Sequence, residues 1–355
     1  MKKGEIINGY TILEDFKVAG GQSKISFAEK EGVTYFIKEF LEPKYPNEDS
    51  PGSPEVKLLR RLRCEVFEKH HKEVNERISA KCSIGGNLVF AVDFFRNKTT
   101  YYKINEKIDI SSLSVNEIAK LPIEKRILIM KTVSHSLNIL HKIEIVHGDI
   151  KPDNILIKRK EKSGNYVAKL IDFDNSYFSE RPPCKVEEII GDQKYYSPEL
   201  ANYIINESDN QKDLTVKSDV FALGVLFSEY LVGEFPVFNK EKYEYPWQSV
   251  LNGNNIYLKE DGLSKEVCDL INSMYALRKE DRPSVSEVFS SLKGLGKGKP
   301  SPDSIDVKLG EDVMPVRTKL SIGKGFKKSE DAKDGGGAEK TVLKSKLRGT
   351  LLGKK

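Results

Sequence analysis

The order in which strand and helix signals occur limits this chain more than any other feature. Residues 10–16, 24–30 and 33–39 alternate or cluster β-favouring side chains, and Glu31-Gly32 between the last two suits a hairpin turn. Residues 88–95 and 99–104 add two strand-like runs. Between them, a stretch with Pro, Asp and Ser at 41–54 reads as a loop leading into a long charged helix over 55–79. After residue 123 the period changes. Ile127, Met130, Val133, Leu137 and Leu140 recur at three- and four-residue spacing, which predicts an amphipathic helix over 123–141, and helical patterns return at 218–232, 265–274 and 285–292. Strands first and helices afterwards predict an α+β chain in two lobes. The small lobe, residues 1–106, is an antiparallel β-sheet with one main helix; the larger, 107–293, is mainly α-helical. They join at Asn105-Glu106-Lys107, and the cleft between them is the expected ligand site.

A chain of 355 residues can bury a core without disulfide or metal staples. Its 38% hydrophobic and 31% charged residues are those of a globular domain. The most apolar stretch, 219–232, is interrupted by Ser228, Glu229 and Tyr230 and is too short to cross a bilayer. No apolar run follows the lysines at the start, so no secretory signal is expected. Cys64, Cys82, Cys184 and Cys268 form no Cys-x-x-Cys pair, which predicts free thiols and a cytoplasmic home. From Gly294 onward the composition shifts: 15 Lys and Arg stand against 8 Asp and Glu, and 11 of the 26 glycines lie there. Such a segment buries too little apolar area to offset its ordering entropy, so 294–355 is predicted to be a basic flexible tail.

The chemistry concentrates in His147-Gly148-Asp149-Ile150-Lys151-Pro152-Asp153-Asn154-Ile155-Leu156, between the 123–141 helix and a short strand. This segment resembles the catalytic loop of protein kinases of the eukaryotic-like serine/threonine type. The resemblance implies that Asp149 orients the acceptor hydroxyl and takes its proton, that Lys151 neutralises the γ-phosphate, and that Asn154 holds a metal ion. Further on, Asp172 in Leu170-Ile171-Asp172-Phe173-Asp174 matches the metal-binding Asp of the kinase Asp-Phe-Gly motif. Ser197-Pro198-Glu199 stands where kinases close the activation segment. Asp219 and Arg282 match scaffold residues, so a Glu199–Arg282 ion pair and an Asp219 bond to the catalytic-loop backbone are expected. In the small lobe Lys38 matches the lysine that holds the α/β-phosphates. Its carboxylate partner is expected on the following helix at Glu68, with Glu65 as the alternative. Val18, Gly20, Gly21, Ser23 and Ile25 would cover the phosphates, and Glu106, at the join of the lobes, is a further expected ATP-binding residue. The implied cofactors are ATP and Mg²⁺, with Mn²⁺ as the alternative ion.

Three departures stand out. Only Gly20 of the phosphate loop's usual three glycines is in place. Gly148 replaces the arginine that gathers an activation-loop phosphate, and Asp174 replaces a glycine; together they suggest a kinase active as made. Such departures also resemble aminoglycoside- and choline-type small-molecule kinases, and the eroded glycine loop would suit a pseudokinase scaffold. Lys151-Pro152, Ser197-Pro198-Glu199, Asp219 and Arg282 belong to the protein-kinase pattern, and the run Leu-Ile-Asp-Phe-Asp is closer to bacterial members than to animal ones. The resemblance, which covers roughly residues 10–293, therefore implies protein substrates and no specific nucleic acid; the positive balance of residues 294–355 separately suggests a docking segment for partners.

Overall fold

A computed structural model describes residues 2–19, 23–108, 112–159, 164–206 and 210–295. The chain divides into two units, Met1–Lys299 and Pro300–Lys355. The tail expected from 294 lies, beyond Leu295, outside the described residues.

The chain opens with strands β1 (Ile6–Ile7), β2 (Tyr10–Ile12), β3 (Lys17–Ala19), β4 (Ser23–Lys30) and β5 (Val33–Phe40). Glu31 and Gly32 both take positive φ, 54° and 74°, the two-residue turn that matches strand twist. The run expected over 10–16 breaks in two. Leu13 still donates its amide to Phe27, but the Glu14 carbonyl instead accepts from the Ser26 hydroxyl, so the chain leaves the ladder before β3. Helix α1 (Pro54–Ser79) begins at Ser53, whose hydroxyl accepts from the Val56 amide, with Pro54 in the first turn. Strands β6 (Ala91–Asn97) and β7 (Thr100–Glu106) complete the lobe. The sheet order is β1-β2-β4-β5-β7-β6, with β3 also paired to β4, all antiparallel. One sheet face packs Ile7, Tyr10, Ile12, Ala28, Ile37, Tyr102 and Ile104 together. Elsewhere Phe40, Cys64 and Tyr101, flanked by Phe67 and Phe94, join α1 to the sheet.

Helices dominate from residue 115: α2 (Val115–Ala119), α3 (Ile123–His141), α4 (Pro198–Asn206), α5 (Val216–Val232), α6 (Pro246–Leu251), α7 (Lys265–Ser273) and α8 (Val285–Leu295). The expected 123–141 helix has those bounds, whereas the short helices α2 and α6 carry too few periodic residues to announce themselves in sequence. Helix α5 is buried along nearly its whole length and ends at Gly233 in the left-handed conformation. Two short antiparallel pairings involve the strands on either side of residues 147–154. Strand β9 (Ile155–Arg159) pairs with β10 (Tyr166–Leu170), and β8 (Ile145–Val146) with β11 (Tyr177–Phe178).

Candidate active site

The segment 147–154 lies between β8 and β9, and its shape comes from one buried carboxylate on α5. Asp219 accepts from the amides of His147, at 2.7 Å, and Gly148, at 3.0 Å, and also contacts His141 Nε2 at 2.9 Å. The His147 ring is buried with Nε2 3.1 Å from the Ile171 carbonyl, and burial pushes its pKa down, so the neutral ring braces the loop. Gly148 has φ +78°, and a Cβ there would come 2.5 Å from the Asn175 carbonyl oxygen. The position thus excludes any side chain, arginine included.

Asp149 is oriented from three sides. Lys151 Nζ lies 2.8 Å from Oδ2, the Asn154 amide donates to Oδ2 at 2.9 Å and to the Asp149 carbonyl at 2.8 Å, and the Asp192 amide donates to Oδ1 at 3.2 Å. Because Asn154 spends its NH₂ on Asp149, its amide oxygen is left as a ligand for a cation. Asp172 follows β10 with φ +61°, a left-handed residue held in place at a site where strain is often functional. Its carboxylate and the Asn154 oxygen make an all-oxygen donor pair, the kind a hard divalent ion takes together with phosphates.

Lys38 stands on β5 in one cross-strand row with Ile25 on β4 and Lys103 on β7. Its Nζ lies 2.9 Å from both Asp172 oxygens and 2.6 Å from Asp174 Oδ2, and Lys103 Nζ bonds the other Asp174 oxygen. Burial would raise Asp174, but Lys103 and Lys38 outweigh it and hold the carboxyl well below the usual range. Burial and the neighbouring Asp174 charge push Asp172 the other way, upward. For Lys38 burial lowers the pKa, yet the Asp174 and Asp172 carboxylates win and raise it.

The expected partner on the helix is elsewhere. Glu68 forms an ion pair with Lys72 one turn along α1, and Glu68 and Glu65 both border an outer groove of the helix. The register of α1 turns Phe67, His71, Val74 and Ile78 inward instead. His71 lines a small cavity with Lys103 and Phe173, and burial pushes its pKa down to about 3. Among the proposed nucleotide contacts, Val18, Ser23 and Ile25 lie on the β3–β4 hairpin, where Val18 pairs with Lys24 and Ala19 with Ser23. Val18 is 70% exposed and Ser23 is buried. Gly20 and Gly21 lie outside the described residues. Glu106 closes β7 opposite Tyr35, and its carboxylate is engaged by the Gly85 amide and Lys169.

Residues 56–292 match the model of the protein kinase domain. The chain belongs to the protein kinase domain family. Domains of this family use ATP with a divalent metal, which the Asn154–Asp172 oxygen pair suits. The matched span begins after Lys38, so the first five strands of this kinase domain are known from its structure. Among similar proteins, "Probable serine/threonine-protein kinase gdt8" of Dictyostelium discoideum is 31% identical over 185 residues, 52% of this chain and 13% of that protein. A calcium and calcium/calmodulin-dependent serine/threonine-protein kinase of Lotus japonicus is 29% identical over 164 residues, 46% of this chain and 29% of its own. The serine/threonine-protein kinase PknA of Corynebacterium glutamicum is 30% identical over 118 residues, 33% and 22% of the two chains. The chain thus spans less than a third of each of these relatives.

The kinase domain's activation segment is fastened at both ends. At its start Tyr177 pairs with Val146 and Phe178 with Ile145. At its close Trp247 on α6 donates its indole N–H to the Gln193 carbonyl at 2.9 Å, and Tyr195 donates to Glu229 at 2.6 Å. Glu199 then meets Arg282 in a two-pronged pair, 2.8 and 2.7 Å, with the guanidinium fully buried. Both scaffold bonds expected from sequence, Glu199–Arg282 and Asp219 to the loop backbone, are present. Sequence reading did not find the Lys103–Asp174–Lys38 cluster, whose signals in sequence are a lysine between Tyr101, Tyr102 and Ile104 on β7 and an aspartate in place of a glycine at 174.

Proposed function

We propose that this chain is a serine/threonine protein kinase that transfers the γ-phosphate of ATP, with Mg²⁺, to hydroxyls of protein substrates. The observation that carries this is the arrangement at Asp149: a carboxylate held from three sides, by Lys151, by the side-chain NH₂ of Asn154 and by the Asp192 amide. Phosphoryl transfer asks for aligned groups and charge neutralisation more than for covalent chemistry. Asp149 would align the acceptor hydroxyl and receive its proton. Lys151 would offset charge on the transferred group, Asn154 and Asp172 would hold the metal, and Lys38 would hold the α/β-phosphates. The β3–β4 hairpin, with Val18, Ser23 and Ile25, would cover the nucleotide. The relatives' names support serine and threonine as acceptors, as does lysine two residues after Asp149. All four cysteines are unpaired, which supports a cytoplasmic setting.

The test is transfer of label from ATP to a lysate or a generic peptide by the full chain and by Asp149→Asn. The variant should keep its melting temperature and lose about 10²- to 10⁴-fold in rate, the usual worth of a positioned general base. Label appearing on aminoglycosides or choline and on no protein would replace the proposal with a small-molecule phosphotransferase.

A further inference from the structure

We infer that Asp174 is the carboxylate that positions Lys38 in the nucleotide cleft, in place of a helix glutamate, with Lys103 as its counter-cation. The inference rests on the proposed role of Lys38 as a phosphate-holding residue.

Three observations carry it. First, Lys38 has two carboxylates in reach, Asp172 and Asp174. Once Asp172 turns its oxygens to a metal ion, Asp174 alone among the described residues remains to hold the ammonium. Second, helix α1 offers nothing in exchange. Its inward face carries Phe67, His71, Val74 and Ile78, while Glu68 is paired with Lys72 and both Glu65 and Glu68 border the outer groove. Third, Asp174 and Lys103 require each other. Lys38 and Lys103 sit directly opposite on adjacent strands, where like charges repel. Asp174 bridges them, one oxygen to each, with all three side chains under 15% exposed. A carboxylate buried this deeply would be costly without both lysines, and either lysine without the carboxylate.

The consequence is a change in what sets the lysine's position. Asp174 lies in the same short turn, Phe173–Asn175, that directly follows Asp172. The metal ligand and the anchor of the phosphate-holding lysine therefore belong to one turn, and α1 meets that turn through His70 and His71 and not through a carboxylate.

The experiment compares full-length wild type with Asp174→Asn, Asp174→Glu, Lys103→Met, the Lys103→Met/Asp174→Asn double variant and a Glu65→Gln/Glu68→Gln double variant. Dissociation constants for Mg·ADP are read by titration, KM for ATP and kcat are measured on a generic peptide, and folding is followed by thermal melts. Asp174→Asn should weaken Mg·ADP at least tenfold, and Asp174→Glu should recover part of that loss. The helix double variant should stay within twofold of wild type. In the absence of Asp174, Lys103 would compete for Asp172, so Lys103→Met should partly rescue Asp174→Asn. If Asp174→Asn does not fold, the double variant is compared with Lys103→Met alone and should bind at least fivefold more weakly. Equal nucleotide affinity in that comparison, Asp174→Asn within threefold of wild type, or a helix double variant as impaired as Asp174→Asn would overturn the inference. Nucleotide affinity is measured apart from transfer, so a wild type that phosphorylates no protein would refute the proposed function and leave this comparison intact.

Discussion

Gly148→Ala is the smallest change that probes how the catalytic loop is built. The added methyl carbon would lie 2.5 Å from the Asn175 carbonyl oxygen and 3.3 Å from its carbon, both backbone atoms that cannot rotate away. Two costs arise. Holding a non-glycine residue at φ +78° costs about 1–2 kcal/mol. Making room against a packed backbone costs about 1–3 kcal/mol more. Together they give a loss of about 2–5 kcal/mol, readable as a lowered urea midpoint at unchanged slope. The turn that must give way is Phe173–Asn175, which bears Asp174 and adjoins Asp172, and a displacement of roughly half an ångström there should also slow transfer by an order of magnitude or more. Gly148→Arg, which would restore the common kinase residue, should be no better, since its Cβ meets the same oxygen. A Gly148→Ala protein within 0.5 kcal/mol of wild type (about the scatter of neutral surface changes) would refute this account of the loop.

Glu199→Ala should cost about 3–5 kcal/mol, because it leaves the Arg282 guanidinium buried without its carboxylate. Replacing both residues should cost clearly less than the sum of the single changes, and strict additivity in chemical melts would argue that the pair does not act as a unit. Acid should weaken the fold through His71, which is surrounded by Lys38, Lys103, Asp174 and His70 and is held neutral down to about pH 3 by burial. Its folded-state pKa is depressed, so the unfolded chain takes the proton first, and stability present above about pH 6.5 is lost as pH falls toward 3. At pH 5 that loss amounts to about 2 kcal/mol. His147, lowered by the same cause, adds to it. His71→Phe should flatten part of the slope of melting temperature between pH 7.5 and 5, and an unchanged slope would remove His71 from the explanation.

Much of this molecule can be read from its residues, and the unread part has a consistent cause. Patterns local to one element survive translation into structure: the 123–141 helix, the Glu31-Gly32 turn, and the Asp149, Lys151 and Asn154 cluster, whose members lie within six residues of one another. Pairings such as Glu199–Arg282 were legible because each partner sits in a recognisable motif. The partner of Lys38 was not. It depends on the rotation of α1, which is set by which side chains bury against Phe40 and Phe94, and the residues at 41–54 hide that register. In sequence Asp174 is no more than a replaced glycine. Its meaning appears only when β7 brings Lys103 opposite Lys38, a long-range fact of strand pairing. The short helices α2 and α6 were unread because five or six residues cannot establish a period.

The fastening of the activation segment bears on how an acceptor would dock. A polypeptide hung between two fixed points has already surrendered most of its freedom, and the entropy still to be lost grows only slowly with the slack that remains. Here the slack is confined to residues 184–190, since β11 pairs with β8, Arg181 with Glu73 and the Pro183 carbonyl with the Tyr203 hydroxyl on one side, and Gln193, Tyr195 and Glu199 are tied to α6, α5 and Arg282 on the other. A substrate strand laid along this surface would therefore meet a platform with fixed borders. Its binding free energy would go into contacts with the acceptor rather than into ordering the enzyme.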